Sequence, residues 1–246
     1  ATAVIVQVLT GWSLEISVVL IGLVTVLYSV SGGLKAILLI DSIQFLIYLS
    51  GGLIVILFIL FSDTFTGFQN LFAYQKFDIF KIVTDDFMYD SLFVINAFIG
   101  GMLLSFASHG VDYMMVQRAL SCNNLSSAKK AMIGSGIFVL LQFALFLFVG
   151  SLLYLATDCM VLNKNQEIPY IISNILPNGM KGIVVAGILS VAMSTLSSSI
   201  NSLSSSTIND WFPNLKTIKY SQIVSLFWTV ILVTTALYFS DPNDPL

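Results

Sequence analysis

The sequence predicts an all-α protein that crosses a membrane several times. Of its 246 residues, 57% are hydrophobic and only 9% are charged, whereas a soluble domain carries about 25% charged residues. The apolar residues also form runs long enough for membrane-spanning helices, each of which needs about 20 of them. This composition excludes a soluble domain. The net charge of −3 gives no indication of nucleic-acid binding, which typically requires a basic surface.

The apolar runs predict six full spans, preceded by the end of another span in residues 1–10. The full spans are expected at residues 14–31, 34–61, 91–116, 127–156, 181–206 and 220–240. A tight turn at Ser31-Gly-Gly33 joins the first two. Two polar loops, at residues 62–90 and 157–180, are amphipathic enough to form short surface helices. Because the sequence begins without Met inside an apolar run, we interpret it as an internal fragment of a longer protein.

The basic residues predict the orientation of the loops. The loops at 32–35, 117–130 and 207–219 are net basic, whereas the loops at 62–90 and 157–180 are net acidic. Cytoplasmic loops carry an excess of Lys and Arg, so the first set is expected in the cytoplasm and the second outside, in a plasma (inner) membrane. The basic residues of the first set are Lys35, Arg118, Lys129, Lys130, Lys216 and Lys219. Cys122 and Cys159 then lie on opposite sides, and we expect no disulfide between them.

A dense run of hydroxyls continues from an apolar segment between residues 190 and 206. Its polar residues recur at spacings of three or four and share a broad helical face. They are Ser190, Ser194, Ser197, Ser198, Asn201 and Ser205, with Thr195 on the flank. Lipid offers hydroxyls no partners, and a hard cation prefers oxygen ligands. The alternatives are close helix packing and hydroxyls bonded back to their own helix.

Asp41 favours the ion-binding interpretation. It lies about two turns into an apolar span, where a carboxylate costs about 2.5–3.5 kcal/mol on insertion scales. Such a residue usually faces a cavity, a partner or an ion. Gln44 lies one turn further along the same face. The alternative for Asp41 is a structural pair with a lysine or a helix end.

A second polar face is predicted in the span at residues 91–116, and it consists of Ser105, Ser108, His109 and Asp112. Gly110 interrupts the helix there, and broken helices often adjoin the substrate site of a transporter. For His109 a pore-edge or packing role, bonded to a carbonyl, is the favoured alternative. For Asp112 a salt bridge with Arg118 or a helix cap competes with a substrate or gating role. Gln142, in the middle of the next span, is a further candidate for either role.

Three segments together resemble one known family. The first runs from Tyr28 through the double glycine and Lys35 to Asp41 and Gln44. The second is Asp112 followed by Val116-Gln-Arg118 and Ala128-Lys-Lys130. The third is the serine-rich run from Gly187 to Ser202. Their order and spacing along nearly the whole chain resemble the sodium/solute symporter family, which includes carriers of glucose, proline, iodide, vitamins and sialic acid.

The resemblance implies a LeuT-type inverted-repeat helical bundle. Residues 1–246 would form a single transporter domain, from the end of the third core helix through the ninth. It implies a sodium site made of the Ser194 and Thr195 hydroxyls with the Val191 carbonyl, completed by a core helix outside this sequence. Some members have an additional sodium site. Its ligands would map onto Asp41, Ser194, Ser197 and Ser198.

The resemblance therefore implies import of a small organic solute by alternating access, driven by one or two sodium ions as co-substrate. The expected partners are the solute and the lipid bilayer, without an organic cofactor and without an enzymatic reaction. The solute and the oligomeric state stay open, and Asp112 stands where several sugar, vitamin and iodide carriers have asparagine. One alternative is a membrane sensor module of a signalling protein. Another, a hydrolase using a serine with His109 and Asp112, lacks a Gly-x-Ser-x-Gly nucleophile turn.

Overall fold

The computed structural model describes residues 2–62, 67, 90, 93–156, 167–215 and 217–239. These residues form α-helices joined by short turns. The helices are α1 (Thr2–Thr10), α2 (Leu14–Leu60), α3 (Val94–Phe106), α4 (Tyr113–Leu120), α5 (Leu125–Ala156), α6 (Glu167–Asn174), α7 (Asn178–Ser206) and α8 (Ile218–Tyr238). π-helical turns at Ala107–Val111 and Thr207–Trp211 extend α3 and α7, and a 3-10 turn at Pro213–Leu215 precedes α8. Five helical segments are long and apolar enough to cross a membrane, starting at residues 14, 94, 125, 178 and 218.

Helix α2 is a hairpin of two spans. As a straight helix its 47 residues would be about 70 Å long, more than twice the hydrocarbon thickness of about 30 Å. Gly33 breaks it with φ of 59° and ψ of −170°, a conformation that glycine adopts without a steric cost. Tyr28 and Asp41 would lie about 20 Å apart on a straight helix. Their partners on α7 are Met193 and Ser198, and these two partners are only about 7.5 Å apart along that helix. The chain therefore reverses at Gly33, and the predicted turn between two spans is confirmed.

The second arm of the hairpin, residues 34–60, packs closely against α7. A Cβ atom added at Gly187 would lie 3.3 Å from the Tyr48 Cα, and one at Gly51 would lie 3.7 Å from the Val184 Cα. Small residues allow helix backbones in a membrane to approach each other this closely. The close approach brings the polar residues of the two helices face to face.

Helix α8 packs against both α7 and the first arm of the hairpin, residues 14–32. A Cβ atom at Gly22 would stand 2.5 Å from Val233 Cγ2, so the first arm and α8 also meet at a glycine. Gln222 Nε2 donates a hydrogen bond of 3.4 Å to the Val30 carbonyl. Helix α1 contacts α2, α6 and α7.

The chain divides into two compact units, residues 1–60 with 159–246, and residues 61–158. In the second unit, α3 and its π turn end at Asp112, whose ψ of 117° is extended. The predicted interruption near Gly110 is therefore present, and the spanning helix stops at Val111 rather than at residue 116. Beyond Asp112, α4 leads into α5 and packs against it.

Parts of the predicted loops are also visible. Helix α6 lies within the predicted loop at residues 157–180, as the amphipathic pattern of that loop indicated. Most of the loop at 62–90, Cys159 and Lys216 lie outside the described residues. Cys122 is a free thiol.

Candidate functional site

A carboxylate and a hydroxyl face each other across the contact between α2 and α7. Ser198 Oγ donates a hydrogen bond of 3.3 Å to Asp41 Oδ2. Asp41 Oδ1 is shielded from solvent, and Ser198 is 9% exposed. Lys35, the lysine nearest to Asp41 in sequence, is exposed. The residue that sequence reasoning singled out as costly in a membrane thus points at the serine-rich helix.

Gln44 and Tyr28 adjoin this pair. Gln44 is 8% exposed, and within the described part of the chain its Oε1 is buried and accepts no hydrogen bond. On the first arm, the Tyr28 hydroxyl donates to the Met193 carbonyl at 3.0 Å. The side chains of Gln44 and Ser197 lie beside that hydroxyl, and the Asp41 carboxylate is close enough to act on it electrostatically. Both arms of the hairpin and α7 thus meet in one group, the α2–α7 polar cluster, made of Tyr28, Asp41, Gln44, Ser197 and Ser198.

The three residues of the first predicted sodium site lie on a more accessible face of α7. Thr195 Oγ1 donates to the Val191 carbonyl at 3.0 Å, and both residues are exposed, whereas Ser194 is half-buried. This contact brings two of the predicted ligand oxygens together. It is also the bond back to the helix that the alternative interpretation predicts. Their accessibility leaves room for the partner helix that the family resemblance implies.

Ser197 links the two predicted sodium sites. It is fully buried, and its Oγ donates to the Ser194 carbonyl at 3.0 Å. Its side chain also lies beside the Tyr28 hydroxyl. Ser197 therefore belongs to the α2–α7 polar cluster and bonds to the backbone of a residue that both predicted sites share.

The later hydroxyls of α7 take part in helix packing instead. Ser204 Oγ donates to the Ser221 carbonyl of α8 at 3.1 Å. Trp228 Nε1 of α8 donates to Thr207 Oγ1 at 2.9 Å. The serine-rich run is thus divided into two parts. Around Ser198 it faces a carboxylate, and from Ser204 onwards it packs against α8.

In the unit of residues 61–158, His109 lies between two hydroxyls. Its Nδ1 is 2.8 Å from Ser108 Oγ, and its Nε2 is 3.3 Å from Ser135 Oγ of α5. Ser108 Oγ also donates to the Ser105 carbonyl at 3.2 Å. The imidazole ring therefore contacts side-chain hydroxyls, whereas the packing alternative predicted a hydrogen bond to a carbonyl.

Asp112 begins helix α4. Its Oδ1 accepts a hydrogen bond of 2.9 Å from the Met114 N–H, which is the capping alternative that the sequence left open. Gln142 is half-buried in α5. The structure thus brings together Ser105, Ser108 and His109, and it adds Ser135, which sequence reasoning did not select.

Tyr28 is the main residue missing from the predicted site. A signal for it exists, because Thr25, Tyr28 and Ser29 form a polar stripe at helical spacing on an otherwise apolar arm. Thr25 is fully buried and Ser29 is 6% exposed, so this stripe faces protein rather than lipid. The cluster is built from oxygen donors, and among the described residues no group of three or more His, Cys, Asp or Glu could hold a metal. Such a donor set suits a hard cation rather than a transition metal.

Comparison with known proteins decides the family. The model of the sodium:solute symporter family matches residues 1–240. The chain belongs to the sodium:solute symporter family. The predicted family is therefore confirmed, and the chain is that of an integral, multi-pass membrane protein.

The relatives of this chain include several sodium-coupled carriers. It is 30% identical to the human sodium-coupled monocarboxylate transporter 2 over 234 residues, which is 87% of this chain and 37% of the relative. It is 26% identical to the human sodium/glucose cotransporter 4, over 96% of this chain and 39% of the relative. It is 29% identical to the sodium-dependent multivitamin transporter of Oryctolagus cuniculus, over 83% of this chain and 34% of the relative. The chain thus spans little more than a third of these relatives.

A solved structure shares the fold. It is the substrate-bound, outward-open state of a Na⁺-coupled sialic acid symporter with a novel Na⁺ site. The TM-score is 0.82 at 23% sequence identity, and the match covers 98% of this chain and 55% of that one. The predicted all-α, LeuT-type membrane fold is confirmed.

Proposed function

We propose that this chain is the part of a sodium-driven symporter that brings a small organic solute into the cell. The Asp41–Ser198 pair carries the proposal, because a carboxylate inside a membrane protein faces a hydroxyl of another helix at 3.3 Å. Oxygen ligands from a carboxylate and hydroxyls suit a hard cation. Membership of the sodium:solute symporter family supports sodium as that cation.

We propose two sodium positions, both of which the family resemblance implies. The first uses the Val191 carbonyl with the Ser194 and Thr195 hydroxyls on the accessible face of α7. The second lies in the α2–α7 polar cluster. Its proposed ligands are Asp41, Ser194, Ser197 and Ser198. The bond from Ser197 to the Ser194 carbonyl joins the two positions through the backbone of α7.

The number of ions sets how steep a solute gradient the carrier can build. Moving one charge across 100 mV supplies about 2.3 kcal/mol, and a tenfold sodium gradient adds about 1.4 kcal/mol. One sodium ion therefore supports a solute ratio of several hundredfold, and two ions raise that limit to roughly 10⁵-fold.

The proposed solute-binding or gating residues belong to the unit of residues 61–158, apart from Gln44. The candidates are Ser105, Ser108, His109, Asp112, Gln142 and Gln44. The π turn at Ala107–Val111 interrupts regular helix next to His109, and irregular backbone of this kind is typical of solute sites in transporters. Asp112 Oδ1 is engaged at a helix cap, which counts against a Ser–His–Asp hydrolase. Orientation in the plasma membrane follows the basic loops, with those at 32–35, 117–130 and 207–219 inside.

The test is solute uptake by proteoliposomes containing the full-length protein. Radiolabelled monocarboxylate, glucose, a vitamin and sialic acid are offered under an inward sodium gradient and, separately, in choline. Sodium should drive accumulation of at least one of them, and Ser194→Ala should lower sodium affinity and uptake together. Normal sodium dependence in Ser194→Ala would contradict the first sodium position. Equal uptake in choline and in sodium would contradict symport.

A further inference from the structure

The buried oxygen of Gln44 lacks a partner within the described protein. Gln44 is 8% exposed, and among the described residues its Oε1 accepts no hydrogen bond. At membrane depth no bulk water is present to replace a missing partner, so such a group is costly to bury. A partner from outside the polypeptide would remove this cost.

Tyr28 determines which end of the Gln44 amide faces it. The Tyr28 hydroxyl donates its single proton to the Met193 carbonyl at 3.0 Å, so the phenol oxygen can then only accept. The Gln44 side chain lies beside this hydroxyl. An accepting oxygen attracts the NH₂ end of the amide and repels its carbonyl end. Tyr28 therefore favours the orientation in which the Gln44 oxygen is turned away from it.

The position of Gln44 places it next to the proposed second sodium ion. Gln44 follows Asp41 by three residues, so the two share a face of the second arm. That face packs against α7, where Ser198 donates to Asp41 Oδ2 at 3.3 Å. Hard cations in proteins commonly combine carboxylates with amide carbonyl oxygens. The chemistry of the unsatisfied oxygen thus matches that of the neighbouring carboxylate and hydroxyls.

We infer that Gln44 supplies a neutral oxygen ligand to the second sodium ion and that Tyr28 is the positioning residue that orients its amide. The inference rests on the proposed function and adds one ligand to the four residues proposed there. It also assigns Gln44 to ion binding rather than to the solute or the gate.

The decisive variant is Gln44→Met in the full-length transporter, with sodium itself as the probe. Methionine keeps the length of the side chain and removes the oxygen. The measurements are the melting temperature during a sodium titration against choline and the binding of ²²Na⁺. We expect the sodium midpoint to rise about tenfold, the loss expected for one contact to a charged group. The melting temperature in choline should be unchanged or higher, because an unsatisfied buried group is removed. A purely structural glutamine would instead lower that temperature and leave the midpoint unchanged.

Three further variants sharpen the test. Gln44→Glu keeps an oxygen at the same position, so its sodium midpoint should be at or below that of the wild type. Gln222→Met is the matched control, since it removes a glutamine that bonds to the Val30 carbonyl away from the cluster, and its midpoint should not change. Tyr28→Phe should raise the midpoint, as loss of an orienting partner typically does by about tenfold. Combined with Gln44→Met it should add nothing, because the orienting effect acts through Gln44.

The outcomes separate this inference from the proposed function. If Asp41→Asn shifts the sodium midpoint and Gln44→Met does not, the Gln44 assignment is wrong and the second sodium position stands. If neither variant shifts it, the second position is wrong as well. If Gln44→Met does not fold, Gln44→Glu decides, and a raised midpoint in that variant contradicts the inference.

Discussion

Two serines of α7, Ser198 and Ser206, each contact an aspartate, and the two contacts differ in what they can do. Ser206 Oγ donates to Asp210 Oδ2 at 2.7 Å, one turn further along the chain and exposed. Ser198 Oγ donates to Asp41 Oδ2 at 3.3 Å, between two helices and partly buried. The shorter bond joins neighbours that water can also satisfy, whereas the longer one holds a carboxylate at membrane depth. Burial and the meeting of separate helices, rather than bond length, mark the ion-binding candidate.

The largest expected effect comes from removing each carboxylate in turn. Asp41→Asn should lower the Hill coefficient for sodium towards one, because one of the two proposed ions would lose its charged ligand. Asp210→Asn should leave the sodium curve of uptake unchanged. If Asp41→Asn and Asp210→Asn show the same sodium dependence, the proposed difference between the two contacts is wrong. An unchanged Hill coefficient in Asp41→Asn would contradict the two-ion interpretation.

Removing the two hydroxyls should give a smaller difference of the same kind. Ser198→Ala would lose the proposed contact between its hydroxyl and the sodium ion. A contact to a charged group is worth about 1.5–3 kcal/mol, so the sodium midpoint should rise tenfold or more. Ser206→Ala should change stability by no more than about 0.5 kcal/mol, because its contact with Asp210 is exposed to solvent. Sodium-dependent thermal shifts of both variants provide the measurement, and equal midpoints would show that Ser198 is only a packing residue.

The spacing of the helices offers a third test. A side chain at Gly187 would meet the backbone of Tyr48 at 3.3 Å, whereas Gly182 has open space around it. Gly187→Leu should therefore push α7 away from α2, destabilise the protein by about 1–3 kcal/mol and weaken sodium binding. Gly182→Leu is the matched control. Melting temperatures in choline and in sodium would show both effects, and a Gly187→Leu protein that binds sodium normally would contradict the role of this close contact.

The smallest effect is expected near the C-terminal end of α7. Ser204→Ala removes the bond to the Ser221 carbonyl, and hydrogen bonds between membrane helices contribute on average about 0.6 kcal/mol. The melting temperature should fall slightly while the sodium midpoint stays at the wild-type value. A midpoint shift like that of Ser198→Ala would mean that ion binding extends along the whole serine-rich run.

The residues that the sequence revealed and those it concealed differ for physical reasons. A lone carboxylate in an apolar span is conspicuous, and a double glycine between two apolar runs indicates a turn, so Asp41 and the reversal at Gly33 were predictable. The partner of Tyr28 is a backbone carbonyl, and every residue has one, so no sequence pattern reveals it. Asp112 could equally be a gate or a cap, because an aspartate before a helix has the same pattern in both roles.

Which serines of α7 face the hairpin and which face α8 depends on how the helix is rotated. Hydroxyls at helical spacing cover more than one face, so the pattern alone could not divide them. The glycine contacts at Gly51 and Gly187 fix that rotation. Each of these contacts joins two residues that are far apart in sequence, and one sequence alone does not indicate that they meet.

The two sides of the Asp41–Ser198 contact are separated by 157 residues, and this separation has a consequence during synthesis. At about 5–20 residues per second, the ribosome makes Ser198 roughly 8–30 s after Asp41. The hairpin is thus translated well before the helix that will face its carboxylate. During that interval the Asp41 carboxylate must enter the bilayer without Ser198, which raises the free energy of inserting the nascent chain.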